Sequence, residues 1–254
     1  MKKLKLAIIG YGKMGKVIEQ IAIDRGHTVA VTIDPKNKEA THKKVDAKAL
    51  KGIDVAIDFT HPSCALDNIE IVTEAGVNLV MGTTGWYDEM DRVRSIITDN
   101  NVGFFWASNF SIGVNMFFRM VQDAAAIVDK VKEYDVAGYE FHHNQKADSP
   151  SGTATSIAEI LKKQVGRKKT IEYGQVDRQI KPSELHFSSL RIGSDPGTHG
   201  VLFDSPADTI EIKHTARSRD GFALGAVLAA EFLVGQKGFF EIENLMDSIV
   251  GDRS

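Results

Sequence analysis

Leu4-Lys-Leu-Ala-Ile-Ile9 followed by Gly10-Tyr11-Gly12-Lys13-Met14-Gly15 decides how the first half of the chain is read. The apolar run is short and stops at closely spaced glycines, which reads as a buried parallel strand, while the spacing of Val17, Ile18, Ile21 and Ala22 beyond it reads as a helix. G-x-G-x-x-G between a strand and a helix permits a tight turn and a close backbone approach to a pyrophosphate, which the helix N-terminus then holds. Thr28 to Ile33 follows as a second β-branched strand ending at Asp34, 19 residues beyond Gly15. An acid at that place receives the adenine ribose. A carboxylate accepts from a ribose 2′-hydroxyl and repels a 2′-phosphate, so NADH is the simpler expectation. Lys36 and Lys38 could reach a phosphate or could simply be solvated, which keeps NADPH open.

The pattern repeats outward. Asp54 to Phe59 reads as a third strand before Thr60-His61-Pro62, where a helix starts with proline near its first turn. Val77 to Met81 is a fourth, ending at Gly82-Thr83-Thr84-Gly85, and Val102 to Trp106 is a fifth, ending at Ala107-Ser108-Asn109-Phe110-Ser111. Small and hydroxylated residues at strand ends suit cofactor approach, although plain turns use them too. Ile112 to Val128 has helical spacing, with Ser111 available as its cap. This much predicts an α/β protein with a Rossmann-type, doubly wound parallel sheet.

From Glu133 the character changes. Tyr134 to Phe141 reads as a strand and Thr153 to Gln164 as a helix, after which Arg167-Lys168-Lys169 reads as a solvated basic turn. Leu185 to Ile192, His199 to Asp204 and Thr209 to His214 form a meander with turn residues between them, an antiparallel or mixed sheet. The apolar helix from Phe222 to Val234 is expected to return to the first domain, and Phe239-Phe240 to join a core. The expected division is a dinucleotide-binding domain of residues 1–110 plus about 222–254, and a second α+β domain of about 111–221 for substrate binding and oligomerisation.

The 254 residues are 43% hydrophobic and 26% charged with a net charge of -3, a balance that gives nucleic acid no basic surface to bind. Cys64 is the single cysteine and can form no internal disulfide, which fits a reducing compartment. The first apolar run is too short for a signal-peptide core or a membrane span, so a cytoplasmic protein without a membrane partner is expected.

Tyr139-Glu-Phe-His-His-Asn-Gln-Lys-Ala-Asp-Ser-Pro-Ser-Gly-Thr-Ala-Thr-Ser156 carries the densest chemistry. His142, His143 and Lys146 precede Ser151-Gly152-Thr153, the mouth of a helix that Ser151 can cap. Imidazoles, an ammonium and free backbone N–H groups suit a small molecule bearing carboxylates, and a histidine can move a proton near neutral pH. A solvated loop is the alternative. Adjacent histidines on a strand point to opposite sides, so one of the pair is expected to be structural. Zinc is the poorer reading, because the cysteine is distant, no second histidine stands at helical spacing and no acid lies at ligand spacing; no metal is expected.

Taken together the chain resembles the 4-hydroxy-tetrahydrodipicolinate reductase family, also called dihydrodipicolinate reductase. The resemblance is carried by Gly12-Lys-Met-Gly15, Asp58-Phe-Thr60, Gly82-Thr-Thr-Gly85, Asn109-Phe-Ser-Ile-Gly-Val-Asn115, Glu140-Phe-His-His-Asn-Gln-Lys-Ala-Asp-Ser-Pro-Ser-Gly-Thr-Ala154, Arg191-Ile-Gly193 and Gly197-Thr-His-Gly200. It implies an NADH- or NADPH-dependent reduction in lysine and diaminopimelate biosynthesis, acting on a cyclic dicarboxylate with loss of water, by a homotetramer. It implies His142 as acid/base and Lys146 as proton donor. His143, Lys146, Gly152 and Thr153 would contact substrate. The nucleotide would lie on Gly10, Gly12, Lys13, Met14, Gly15, Asp34, Gly82, Thr83, Thr84, Ala107, Ser108, Asn109 and Phe110. Another NAD(P)-dependent imine or amino-acid reductase would share the glycines and Asp34, with no need for the histidine pair. A nucleotide-sensing Rossmann protein would bind the cofactor without turnover.

Overall fold

A computed structural model describes residues 2–251. In chain order the elements are β1 (Lys5–Ile9), α1 (Lys13–Asp24), β2 (Thr28–Ile33), β3 (Val55–Asp58), α2 (Pro62–Glu74), β4 (Asn78–Met81), α3 (Met90–Asn100), β5 (Gly103–Trp106), α4 (Ile112–Val128), β6 (Asp135–His142), α5 (Gly152–Gln164), β7 (Thr170–Glu172), β8 (Glu184–Arg191), β9 (Thr198–Asp204), β10 (Thr209–Thr215), α6 (Asp220–Phe232), β11 (Gly238–Phe240) and α7 (Ile242–Val250). They divide into two units. One combines the residues up to Ile112 with those from Arg219 onward, and the other is Gly113–Ser218.

The first unit is built on a six-stranded sheet in the order β11-β5-β4-β3-β1-β2, parallel throughout. Its central strands β1, β3, β4 and β5 are buried on both faces, so their residues alternate between two cores rather than between core and water. Leu6 and Ile8 join Ile18, Ala22, Ala226, Val227 and Leu245 on one side; Ala7 and Ile9 join Ile69, Val72, Val93 and Ile97 on the other. With β2 on one flank of β1 and β3 on the other, the winding reverses at β1. The crevice beyond the carboxyl ends of strands at such a reversal is where open α/β sheets bind ligands. This is the Rossmann-type sheet expected from the sequence. Phe239 and Phe240 do more than fill a core, since they form β11, a sixth parallel strand on β5. Their rings pack on Phe104 and Phe232, with centroids 5.1 and 5.3 Å apart.

The second unit is a mixed five-stranded sheet, β10-β9-β6-β8-β7, in which β6 runs parallel to β8 and antiparallel to β9. α4 and α5 cover one face through Phe117, Val121, Ala154, Ile157 and Leu161, against Val136, Phe187, Val201 and Phe203. The alternation leaves Tyr139, Phe141, Leu190 and Leu202 on the opposite face. One expectation is corrected here. Lys168 is not in a solvated turn: its side chain is 1% exposed, with the ammonium 2.6 Å from Asp135 and donating to the Glu184 carbonyl. A buried ammonium persists only when its charge is paired and its donors are used.

Candidate functional site

The residues proposed for the nucleotide all lie in the first unit, in the segments that follow β1, β2, β4 and β5. In a parallel sheet these segments leave from the same edge, so Gly10 to Gly15, Asp34, Gly82 to Thr84 and Ala107 to Phe110 share the carboxyl end. The glycines there are present for different reasons. At Gly10, with φ +90°, a Cβ would fall 2.1 Å from the Phe59 carbonyl oxygen, and at Gly15 it would fall 2.3 Å from that of Gly10. The fold itself requires both. At Gly12, with φ −88°, a Cβ would meet nothing within 4 Å. Nothing internal demands glycine there, which fits a backbone left bare for a ligand. Gly12 is also the N-cap of α1 and supplies no side-chain cap, so the first-turn N–H groups face outward for an anion. The residues present therefore fit a dinucleotide.

Asp34 is occupied by its own loop. One carboxylate oxygen accepts from the Tyr11 N–H at 3.1 Å and the other from the N–H groups of Lys36 and Asn37, both at 2.8 Å. Partial burial works against the charge, but these three donors hold the carboxyl below its ordinary range. An ionised carboxylate has about four acceptor positions, so one remains for a ribose hydroxyl. Thr83, by contrast, points inward. Its hydroxyl donates to Asp58, which also accepts from Thr60 and Asn68 and joins the ends of β3 and β4. Burial pushes the Asp58 carboxyl up despite those bonds.

The second unit contains the histidine segment. Val136, Gly138, Glu140 and His142 are the buried positions of β6, so Glu140 and His142 lie on the same face as the α4/α5 core, while His143 follows the strand at half burial. Register then supplies neighbours that no local pattern reveals. β9 places His199 directly opposite Glu140, and β8 places Arg191 opposite His142. The Nε2 atoms of His142 and His199 lie 3.3 Å from Glu140 Oε2 and 3.4 Å from each other. Glu140 Oε1 accepts from the Ser151 N–H at 3.0 Å and from both terminal nitrogens of Arg191 at 3.3 Å, and Oε2 accepts the Ser151 hydroxyl. Burial by itself would raise the Glu140 carboxyl, yet the bonds from His199 and Ser151 hold it far below the usual range.

Ser151 also caps α5, its hydroxyl oxygen accepting from the Ala154 N–H at 3.1 Å. Gly152 and Thr153 are the first two residues of that helix. Gly152 repeats the property of Gly12, since it is exposed and a Cβ there would meet nothing within 4 Å. Lys146 is held by both oxygens of Asp148, at 2.7 and 2.9 Å, and Arg191 donates to the Asp148 carbonyl at 2.6 Å. His142 is pushed down, first by burial and then by His199, Lys146 and Arg191, against the opposing pull of Glu140. Neutral imidazole therefore predominates at pH 7.

Glu140, Arg191 and His199 are residues whose part in this cluster the sequence reading did not foresee. The signals were the two-residue spacing of Glu140 and His142 on a strand and the presence of arginine in Arg191-Ile-Gly193 and histidine in Gly197-Thr-His-Gly200. Glu140, His142 and His199 could be mistaken for a metal site, because their spacing resembles the edge of a zinc tetrahedron with bonds of about 2.0–2.1 Å. A zinc-bound His199 would have to carry its proton on Nδ1, and a ligating imidazole normally donates that N–H to an acceptor. Among the described residues, His199 Nδ1 is buried without a hydrogen-bond partner. The proton belongs on Nε2, facing Glu140.

Comparison with known proteins covers nearly the whole chain. Dihydrodipicolinate reductase, N-terminus, matches residues 4–110, and Dihydrodipicolinate reductase, C-terminus, matches residues 113–246. The chain is 39% identical over 246 residues to a 4-hydroxy-tetrahydrodipicolinate reductase of Christiangramia forsetii, covering 97% of this chain and 99% of that one. A 4-hydroxy-tetrahydrodipicolinate reductase of Methanosarcina barkeri is 39% identical over 215 residues, covering 84% and 78%. Among solved structures, the dipicolinate-bound dihydrodipicolinate reductase of Paenisporosarcina sp. TG-14 shares the fold. Its TM-score is 0.78 at 23% identity, over 96% of this chain and 99% of that one.

Proposed function

The chain belongs to the dihydrodipicolinate reductase family, and from that premise we propose how its residues divide the work. The reaction is the reduction of 4-hydroxy-tetrahydrodipicolinate to tetrahydrodipicolinate with loss of water, in lysine and diaminopimelate biosynthesis. NADH or NADPH supplies the hydride when bound. Gly10 to Gly15 and the start of α1 take the pyrophosphate, Asp34 takes the ribose, and the segments at Gly82 to Thr84 and Ala107 to Phe110 take the rest of the nucleotide. Thr83 contributes through its backbone, because its hydroxyl belongs to Asp58.

On the substrate side the N–H groups of Gly152 and Thr153 receive one carboxylate, with His143 and Lys146 as further contacts. Loss of water needs a base for the ring proton beside the departing hydroxyl, and the reduced ring needs an acid at that same carbon. His142, its imidazole pushed towards the neutral form, is the base; Lys146, paired with Asp148, is the acid. The observation that supports this division is that Glu140 lies beside His142, holds the Ser151 N–H just before Gly152, and pairs with Arg191, which donates to the carbonyl of the Asp148 that pairs with Lys146.

The test follows reduced-nicotinamide absorbance on substrate made in situ from pyruvate and aspartate semialdehyde by the preceding synthase. His142→Ala should lower turnover by roughly 10²–10⁴-fold with NADH affinity unchanged. Lys146→Ala should damage both KM and turnover. Unaltered kinetics in either variant removes that residue from its role, and wild-type protein that binds NADH without oxidising it would be a sensor.

The assembly proposed is a cytoplasmic homotetramer joined through the uncovered sheet face bearing Tyr139, Phe141 and Leu190, of which Leu190 is 57% exposed. Among the described residues no helix is long and apolar enough to cross a membrane. Light scattering that gives a monomeric mass in solution rejects the tetramer.

A further inference from the structure

We infer that Glu140 is the positioning residue of the substrate half: one buried carboxylate sets the tautomer of His142 and seats both the Lys146 turn and the start of α5. The inference rests on the roles proposed above and adds the group that coordinates them. Oε2 lies 3.3 Å from the Nε2 of His142 and of His199, and His199 has no alternative place for its proton. His142 Nε2 could accept from His199 across their 3.4 Å contact only by turning a lone pair on the Glu140 carboxylate 3.3 Å away, so a proton on each Nε2, both directed at Oε2, is the favoured arrangement. For His142 this leaves Nδ1 as a lone pair, the form that a base requires.

The same carboxylate works in two other directions. Through the N–H and hydroxyl of Ser151 it fixes the residue immediately before Gly152 and Thr153. Through Arg191, which also holds the Asp148 carbonyl, it fixes the turn whose Asp148 side chain pairs with Lys146. Gly197 completes the seat of the ring, because a Cβ there would fall 2.8 Å from His142 Cε1. Glu140 is 0% exposed, so it acts through these residues.

The primary test is long-range ¹H–¹⁵N spectroscopy of the histidine-labelled protein at neutral pH, with the His142 signal assigned by its loss in His142→Ala. Both His142 and His199 should be Nε2–H tautomers; an Nδ1–H tautomer at His142 overturns the inference. This readout needs no turnover, so it stands or falls separately from the proposed reaction. Glu140→Gln should turn His142 into a tautomer mixture and raise the substrate KM roughly tenfold, the scale of one lost charge-assisted hydrogen bond. The pH limb set by His142 should move to lower pH, because the carboxylate that favours the imidazolium is gone while His199, Lys146 and Arg191 remain. Ser151→Ala should raise KM and leave the tautomer alone. Unchanged tautomer, KM and pH limb in Glu140→Gln would overturn the inference, and if that variant does not fold the wild-type spectrum decides.

Discussion

The glycine loop and the Glu140 cluster are both binding machinery, and they are built in opposite ways. Gly10 to Gly15 is a continuous stretch whose working groups are backbone atoms, shaped by φ angles and by the absence of side chains. The Glu140 cluster draws Glu140, His142, Ser151, Arg191 and His199 from three strands and a helix cap, and its working groups are side chains placed by register. A backbone site tolerates changes in neighbouring side chains and fails when a methyl is added. A register site fails when one charged group is removed, since its partners remain buried.

Thermal unfolding with parallel NADH titration can break that contrast. Glu140→Ala strands Arg191 and two imidazoles in the core and should cost about 3–5 kcal/mol of stability, the scale of a broken buried ion pair. Gly10→Ala should cost on the order of 3 kcal/mol, combining a left-handed φ with a contact against the Phe59 carbonyl. Gly12→Ala should leave stability within about 0.5 kcal/mol and weaken NADH by roughly tenfold or more. If Gly12→Ala unfolds the protein instead, the distinction between the two glycines is lost.

The smallest effect concerns pH. His142 and His214 are both pushed below 6.5 chiefly by burial, so the unfolded chain binds the proton first as pH falls. Their contribution to stability is complete above about pH 6.5 and is lost on acidification below it. The melting temperature should therefore fall from pH 7.5 to pH 6, and His214→Gln should flatten part of that slope. A slope unaffected by the substitution would show that His214 titrates as it does in the unfolded chain.

The same contrast explains what could be read from the residues in advance. Strands β1 to β5, the helix at Ile112–Val128 and the acid at Asp34 follow from apolar spacing and glycine placement, which are local properties. β11 was missed because three residues, two of them aromatic, carry no period, and only the exposed edge of β5 makes them a strand. Lys168 was misread because its partners, Asp135 and Glu184, lie far along the chain. His142 and Lys146 are candidates by their types alone, whereas His199 becomes one only with β9 aligned on β6. Sequence proximity reveals what the backbone does; pairing across a sheet reveals what the side chains do.

The first unit is assembled from two stretches separated by Gly113–Ser218, and this sets an order of events during synthesis. The face of its sheet covered by α2 and α3 can close with residues made early, because Ile69, Val72, Val93 and Ile97 all precede the insert. The other face needs Ala226, Val227 and Leu245. At about 5–20 residues per second the ribosome spends roughly 5–20 s on the intervening segment. Throughout that interval Leu6, Ile8, Val55 and Ile57 have α1 beside them but lack the cover of α6 and α7, so the newborn chain carries an open apolar surface that its own later helices must reach before another molecule does.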